Sequence, residues 1–214
     1  MSLKERLRHN YHELSKSQKL VYKIFYKHFY GKNSFFYEGV LENPGQMYWR
    51  ERKAIYETII NHKPNRCFEI GTYNGGGSTY FVSSALHHNN FGKLYTSESD
   101  PRLYGRAVDF YSSKLPNQKR FIEFLNSSDF NCFLPFVNEG VDLFILDGAE
   151  HARETVDQYE FFMKYTHSGT IMIVHDWHTE KMRLLKDMIF DEWNLLEEIN
   201  QPHSVGLRIF QFNQ

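Results

Sequence analysis

Two short stretches carry residues whose types and spacing can do chemistry. "VDLFILDGAEHARE" ends an apolar run in Asp147, with Glu150 and His151 close behind, and "TIMIVHDWHTEKM" ends another in His175 and Asp176. Acids at the ends of two strands of one parallel sheet face the same crevice. Paired carboxylates suit a hard divalent cation such as magnesium, so Asp147 and Asp176 are the candidate metal ligands. A metal there would bind a substrate hydroxyl, lower its pKa and hold its oxygen in place. His151 and His175 are candidate bases, because an imidazole titrating near neutrality can accept that proton. The structural alternatives are a His175 buried against the sheet and a His151 that merely opens a helix. Trp177 and His178 either wall a substrate pocket or, for Trp177, belong to the core.

A third stretch, "RCFEIGTYNGGGSTYF", places three glycines behind an apolar run that ends in Glu69 and Ile70. Glycine permits positive φ and lets backbone N–H groups approach a ligand with no Cβ in the way. The pattern is E-x-G-x-x-x-G-G-G. Tyr73 stands where a dinucleotide fingerprint requires its second glycine. The Glu69 carboxylate also suits a cationic group better than a pyrophosphate, which it would repel.

These stretches need a scaffold that brings strand ends together. Short β-rich apolar runs fall at Arg66–Ile70, Lys93–Glu98, Phe121–Leu125, Val141–Leu146 and Thr170–Val174, as expected of strands buried on both faces. Helical stretches separate them: Ser78–His88, Pro101–Leu115, Ser128–Val137 and Ala152–Tyr165. That alternation predicts an α/β fold with a doubly wound, mostly parallel sheet. After a helix near Glu180–Phe190, "NLLEEI" and "GLRIFQF" are too close for a helical crossover, so they predict an antiparallel pair at one edge, making seven strands. A helix is expected over Gln46–Asn61, between the turn Asn43-Pro44-Gly45 and Pro64, with Tyr48, Trp49 and Arg52 near its start. Ser15–Tyr30 reads as an amphipathic helix, with Leu20, Val21, Ile24, Phe25 and Phe29 opposite Lys16, Lys19, Lys23 and Lys27. Packing against the main domain is the expected role; a membrane-surface helix or a lid are the alternatives. The expected division is a helical extension over 1–45 and an α/β domain over 46–214.

"FEIGTYNGGGST" resembles the first motif of class I S-adenosylmethionine-dependent methyltransferases, in particular small-molecule O-methyltransferases of the catechol type and of the sugar- and antibiotic-modifying branch. The resemblance runs from about Gln46 to the C-terminus and includes the reversed last strand. It implies that Glu69, Gly71 and Gly75, with Tyr73 alongside, line the methionine end of the cofactor. Glu98, in "KLYTSESDP", would take the ribose hydroxyls, which suits a carboxylate accepting two donors; Ser99 would lie beside the adenine. "NSSDF" offers Ser128 and Asp129 as adenine contacts. Glu98 and Asp129 can equally be acids at helix starts. In the metal-dependent branch the acids of the fourth and fifth strands are both ligands. This chain departs from it, with Trp177 where the catechol pattern has Asn and Gly-Ala-Glu-His where the other branch reads D-G-D-H. The resemblance implies methyl transfer to an oxygen of a small molecule, with S-adenosylmethionine and, where the acids ligate, magnesium. A catalytically silent binding protein of the same fold and a nucleotide-binding oxidoreductase are the rivals. Gly71→Val is expected to abolish cofactor binding while leaving a folded protein.

The totals narrow the class. The chain has 214 residues and a net charge of −1, so nothing calls for a nucleic-acid partner. Two cysteines without a CxxC pair fit a reducing compartment and argue against a disulfide framework. No apolar run reaches the roughly 20 residues of a bilayer span. The N-terminus lacks the apolar segment of a signal peptide, so a cytoplasmic protein is expected. The partner expected is a small-molecule acceptor; self-association is left open.

Overall fold

The computed structural model describes residues 16–38, 45–189, 191–201 and 204–213. In chain order the elements are α1 (Lys16–Tyr30), a 3-10 turn and α2 (Ser34–Glu38), α3 (Trp49–His62), β1 (Arg66–Ile70), α4 (Ser78–Asn89), β2 (Lys93–Glu98), α5 (Pro101–Lys114) and α6 (Pro116–Lys119). They continue with β3 (Ile122–Asn126), a 3-10 turn (Phe130–Phe133), α7 (Leu134–Val137), β4 (Val141–Leu146), α8 (Ala152–Met163) and β5 (Thr166–His175). A 3-10 turn (Glu180–Met182), α9 (Arg183–Lys186), β6 (Trp193–Ile199) and β7 (Leu207–Phe212) complete the order.

The seven strands form one sheet in the order β3-β2-β1-β4-β5-β7-β6. The first five are parallel; β7 runs antiparallel to β5, and β6 antiparallel to β7. The chain therefore winds outward from β1 to β3, then restarts at β4 on the other side of β1. That reversal opens a crevice between the carboxyl ends of β1 and β4.

Strand alternation divides the core into two layers. Cys67, Leu143, Ile145, Ile171 and Ile173 face one layer, with α3 and α4 packed on them through Ile55, Ile59, Phe81 and Leu86. Phe68, Phe144, Leu146, Met172 and Val174 face the other, against Tyr159, Phe161 and Phe162 of α8. Phe144 stacks on Phe162 with ring centroids 5.0 Å apart. This two-sided burial explains why the strands read as continuous apolar runs.

Several boundaries differ from the sequence expectation. The continuous helix expected over 128–137 is a 3-10 turn followed by the single turn α7, with Pro135 inside the latter and Asp129 capping the former. The helix expected over 180–190 is likewise a 3-10 turn and the four-residue α9; residue 190 lies outside the described residues. Of the five apolar residues expected to face the main domain from the first helix, Leu20, Val21 and Ile24 of α1 are instead 61%, 65% and 59% exposed; the side chains of Phe25 and Phe29 lie outside the described residues. The domain boundary expected at residue 45 adjoins 39–44, which lie outside the described residues. Among the described residues no helix is long and apolar enough to cross a membrane.

Candidate functional site

The glycine loop follows β1 and is held by its own backbone. The Gly71 and Thr72 N–H groups both donate to the Ser97 carbonyl at 3.0 Å, and Gly75 N–H donates to the Thr72 carbonyl. Tyr73 adopts φ +52°, a left-handed conformation that is uncommon for a bulky residue, and its N–H donates to Glu98 Oε2 at 2.7 Å. Gly71 requires its own glycine: φ is +100°, and a Cβ would lie 2.8 Å from Gly148 Cα. Gly148 answers it, since a Cβ there would lie 2.6 Å from the Ile70 carbonyl oxygen. The loops after β1 and β4 thus cross with backbone against backbone. Gly71→Val would therefore strain the crossing of the two loops as well as the glycine loop itself.

The loops enclose a cavity of about 630 Å³, within the size range of small-molecule sites. Gly71, Thr72, Tyr73, Glu98 and Ser99 line one wall, and Ser127 and Ser128 extend it from beyond β3. Glu98 is 8% exposed. It accepts from the Asp100 N–H at 2.9 Å as well as from Tyr73, and a carboxylate has about four acceptor positions. Gly45, Gln46 and Met47 pass over the loop's far end, so close that a Cβ on Gly45 would lie 2.2 Å from Gly77 Cα.

Asp147, Glu150, Glu154, Gln158, His175, Asp176 and Lys181 belong to the opposite wall. Here charged groups form one network. His175, 3% exposed at the end of β5, places Nδ1 3.1 Å from Asp147 Oδ1 and 3.3 Å from Asp176 Oδ1. Its Nε2 lies 3.5 Å from Glu51 Oε2, an ion-pair distance without hydrogen-bond geometry. Glu51, fully buried in the first turn of α3, also accepts from the Tyr48 N–H at 2.7 Å and from the Ser204 hydroxyl. Burial alone would discharge His175, but Asp147 and Glu51 outweigh it and raise its pKa to about 10. Burial would also raise both acids; His175 reverses that and holds Glu51 and Asp147 below the ordinary carboxylate values. Lys181 Nζ completes the network, 2.5 Å from Asp176 Oδ2 and 3.6 Å from Asp147 Oδ1, while donating to the Asp147 carbonyl at 2.8 Å.

Several expected site residues stand elsewhere. Glu69 does not line the cavity. It is fully buried behind the loop, where Oε2 accepts from Thr79 at 2.6 Å and Thr96 at 2.7 Å. Its Oε1 finds no hydrogen-bond partner among the described residues, and burial raises its pKa despite the Ser78, Thr79 and Thr96 hydroxyls. Gly75 packs on Tyr111, whose hydroxyl donates to its carbonyl at 2.8 Å. Asp129 turns away from the cavity to accept from the Asn131 N–H at 2.9 Å, so the helix-start reading applies. His151 is exposed at the N-terminus of α8 and outside the cavity lining. His175 is held by carboxylates that raise its pKa to about 10, which favours the protonated imidazole and opposes a role as base at neutral pH. Trp177 belongs to the core, with the Arg208 guanidinium 4.6 Å from its ring, and the exposed His178 pairs with Asn200.

Sequence reasoning missed Glu51, Gln158, Lys181 and Gly148 as partners in the site. Gln158 is 2% exposed on α8, and its Oε1 has no partner among the described residues. Its only advance signal was a polar residue on the apolar face of the helix, flanked around the helix by Phe161 on one side and Phe162 and Tyr159 on the other.

The sequence model of a family described as a methyltransferase domain matches residues 68–177, just over half the chain. No curated protein sequence matches it. Among solved structures, the O-methyltransferase TomG of Streptomyces achromogenes, in complex with S-adenosylmethionine, aligns over 100% of both chains at 13% identity with a TM-score of 0.64. The Bacillus cereus O-methyltransferase, in complex with S-adenosylhomocysteine, covers 80% of this chain and 85% of its own at 15% identity, with a TM-score of 0.63. A Podospora anserina methyltransferase bound to S-adenosylhomocysteine covers 94% of this chain and 89% of its own at 13% identity, with a TM-score of 0.58.

Proposed function

The chain belongs to the methyltransferase-domain family and has the class I S-adenosylmethionine-dependent methyltransferase fold, and from that premise we propose that it methylates a hydroxyl oxygen of a small, non-anionic molecule. One observation carries the reading. A single cavity has a wall of glycine backbone, Glu98 and serines facing a wall of charged and amide side chains.

The first wall fits the cofactor. Glu98 retains acceptor positions for a ribose diol, and Ser99, Ser127 and Ser128 offer hydroxyls at the adenine end. Glu69 lies one layer behind Ser78, a lining residue, with an unpartnered buried oxygen that suits a neighbouring ammonium group. The bound cofactor would supply a methyl group made electrophilic by its sulfonium.

The second wall is where the acceptor would lie. Glu150 and Glu154 give its mouth a negative charge, which disfavours phosphorylated and carboxylated acceptors and nucleic acid alike. Gln158 Oε1 can accept a hydrogen bond from a hydroxyl or amine. With His175 holding its proton, His151 outside the cavity, and Asp147 and Asp176 paired with His175 and Lys181, Glu150 and Glu154 are the carboxylates of this wall left to take the hydroxyl proton.

Isothermal titration with S-adenosylhomocysteine, and thermal shift with it and with NAD, test the cofactor assignment. Stoichiometric binding of S-adenosylhomocysteine is expected, stabilising the protein by about 2.7 kcal/mol at 100 times the dissociation constant. Stabilisation by NAD alone would overturn it. Oxygen methylation is then read from the product of a hydroxyl-compound screen.

A further inference from the structure

The paired acids invite a divalent metal, and Asp147, His175 and Asp176 bring three ligand atoms within 4.8 Å of one another. Their surroundings do not fit one. His175 Nδ1 lies within 3.3 Å of an oxygen on each acid, so it points an N–H at them rather than a lone pair at a metal. Lys181 Nζ lies against Asp176 Oδ2 at 2.5 Å and near Asp147 Oδ1 at 3.6 Å. Three of the four carboxylate oxygens thus already face a nitrogen. Magnesium would need oxygens at about 2.0–2.1 Å in octahedral array, in space next to a fixed positive charge.

The local fold holds the lysine there. Asp176 turns the chain sharply after β5 with φ +60°, a strained conformation of the kind that clusters at functional sites. Its carbonyl accepts from both the N–H and the hydroxyl of Thr179. The 3-10 turn that follows is anchored by the fully buried Met182, leaving Lys181 directed back over the strand ends with its side chain 12% exposed. An ammonium has three N–H bonds. One meets Asp176, one meets the Asp147 carbonyl, and the third is available on the cavity that Lys181 lines.

We propose that Lys181 is the resident cation of this site: its ammonium stands between Asp147 and Asp176 in place of a divalent metal and excludes one. The inference deepens the methyl-transfer reading and rests on it for the meaning of the site, though not for its test. A resident ammonium makes the acceptor wall complete without metal supply. It also offers the acceptor oxygen a hydrogen-bond donor rather than a Lewis acid.

Manganese titration followed by electron paramagnetic resonance tests it, with S-adenosylhomocysteine calorimetry on the same samples. Wild-type protein should leave the free Mn²⁺ signal undiminished. Lys181→Ala, which vacates the position, should take up one Mn²⁺ at least tenfold more tightly. Lys181→Met, which keeps the apolar stem, replaces it should the alanine variant fold poorly. Stoichiometric Mn²⁺ uptake by the wild type would overturn the proposal, as would folded variants that gain none. Loss of S-adenosylhomocysteine binding in the wild type would sink the cofactor reading and leave the manganese result standing.

Discussion

The two walls of the cavity are built on different physical principles. The cofactor wall uses backbone: crossing glycines, two N–H groups on one carbonyl, and a single acid held by the loop it faces. The acceptor wall uses charge: Glu51 from α3, Asp147 after β4, His175 and Asp176 at β5, and Lys181 from the turn beyond. Backbone geometry is local and tolerates few substitutions at a handful of positions. A charge network instead couples distant elements, and each member is stable only while its partners remain.

The sharpest way to break that contrast is to remove the network's hub. His175→Leu leaves Glu51 buried without its cation, and breaking a buried pair in this way costs about 3–5 kcal/mol. Urea denaturation at neutral pH should show that loss. In the wild type the His175 contribution is complete below its ordinary 6.5 and disappears as pH rises through about 10. Glu51 and Asp147 contribute above their ordinary 4.5 and 3.8, and that stability disappears as pH falls through their lowered values. Stability should therefore be greatest between these limits. In His175→Leu the unpaired Glu51 should instead favour protonation, so the variant should gain stability on mild acidification. A variant whose pH profile parallels the wild type would show that the network carries little energy.

The cofactor wall answers to a smaller change. Glu98→Gln keeps the shape of the side chain and removes the charge that strengthens its hydrogen bonds. Hydrogen bonds to a charged group are worth about 1.5–3 kcal/mol, so S-adenosylhomocysteine affinity should fall roughly ten- to a hundredfold. The new amide NH2 would face one of the two backbone N–H groups from which Glu98 now accepts, so unliganded stability should fall as well. Affinity is therefore compared at a temperature where both proteins are folded. Equal affinity in the two proteins would move the ribose contact elsewhere.

The same contrast explains what was legible in advance. Strand positions followed from short apolar runs, and the glycine loop and Glu98 followed from their place at strand ends, because each is a local pattern. β5 begins at Thr166 rather than Thr170 because His167, Ser168 and Gly169 form an exposed extension that no apolar pattern marks. Lys181 was illegible for a different reason. In "HTEKMRLLKD" it looks like one of several solvated charges, and only the Asp176 turn brings it back to the strand ends. Glu51 lies 124 residues before His175 and meets it only because α3 packs beneath the crevice. Spacing along the chain holds no record of such a meeting.

The smallest expected effect belongs to His151, which sequence reasoning placed among the bases. It follows the Asp147 strand end by four residues, yet the loop carries it past the cavity to an exposed position opening α8. Its carbonyl accepts from the Thr155 N–H at 3.1 Å, a backbone contact that any residue can make. Its side chain makes no capping hydrogen bond. His151→Ala should therefore shift stability by no more than about 0.5 kcal/mol, as surface substitutions do, and leave S-adenosylhomocysteine affinity unchanged. A loss of turnover of a hundredfold or more with affinity intact would return His151 to the chemistry. The acceptor wall would then have to close over α8's first turn when the acceptor binds.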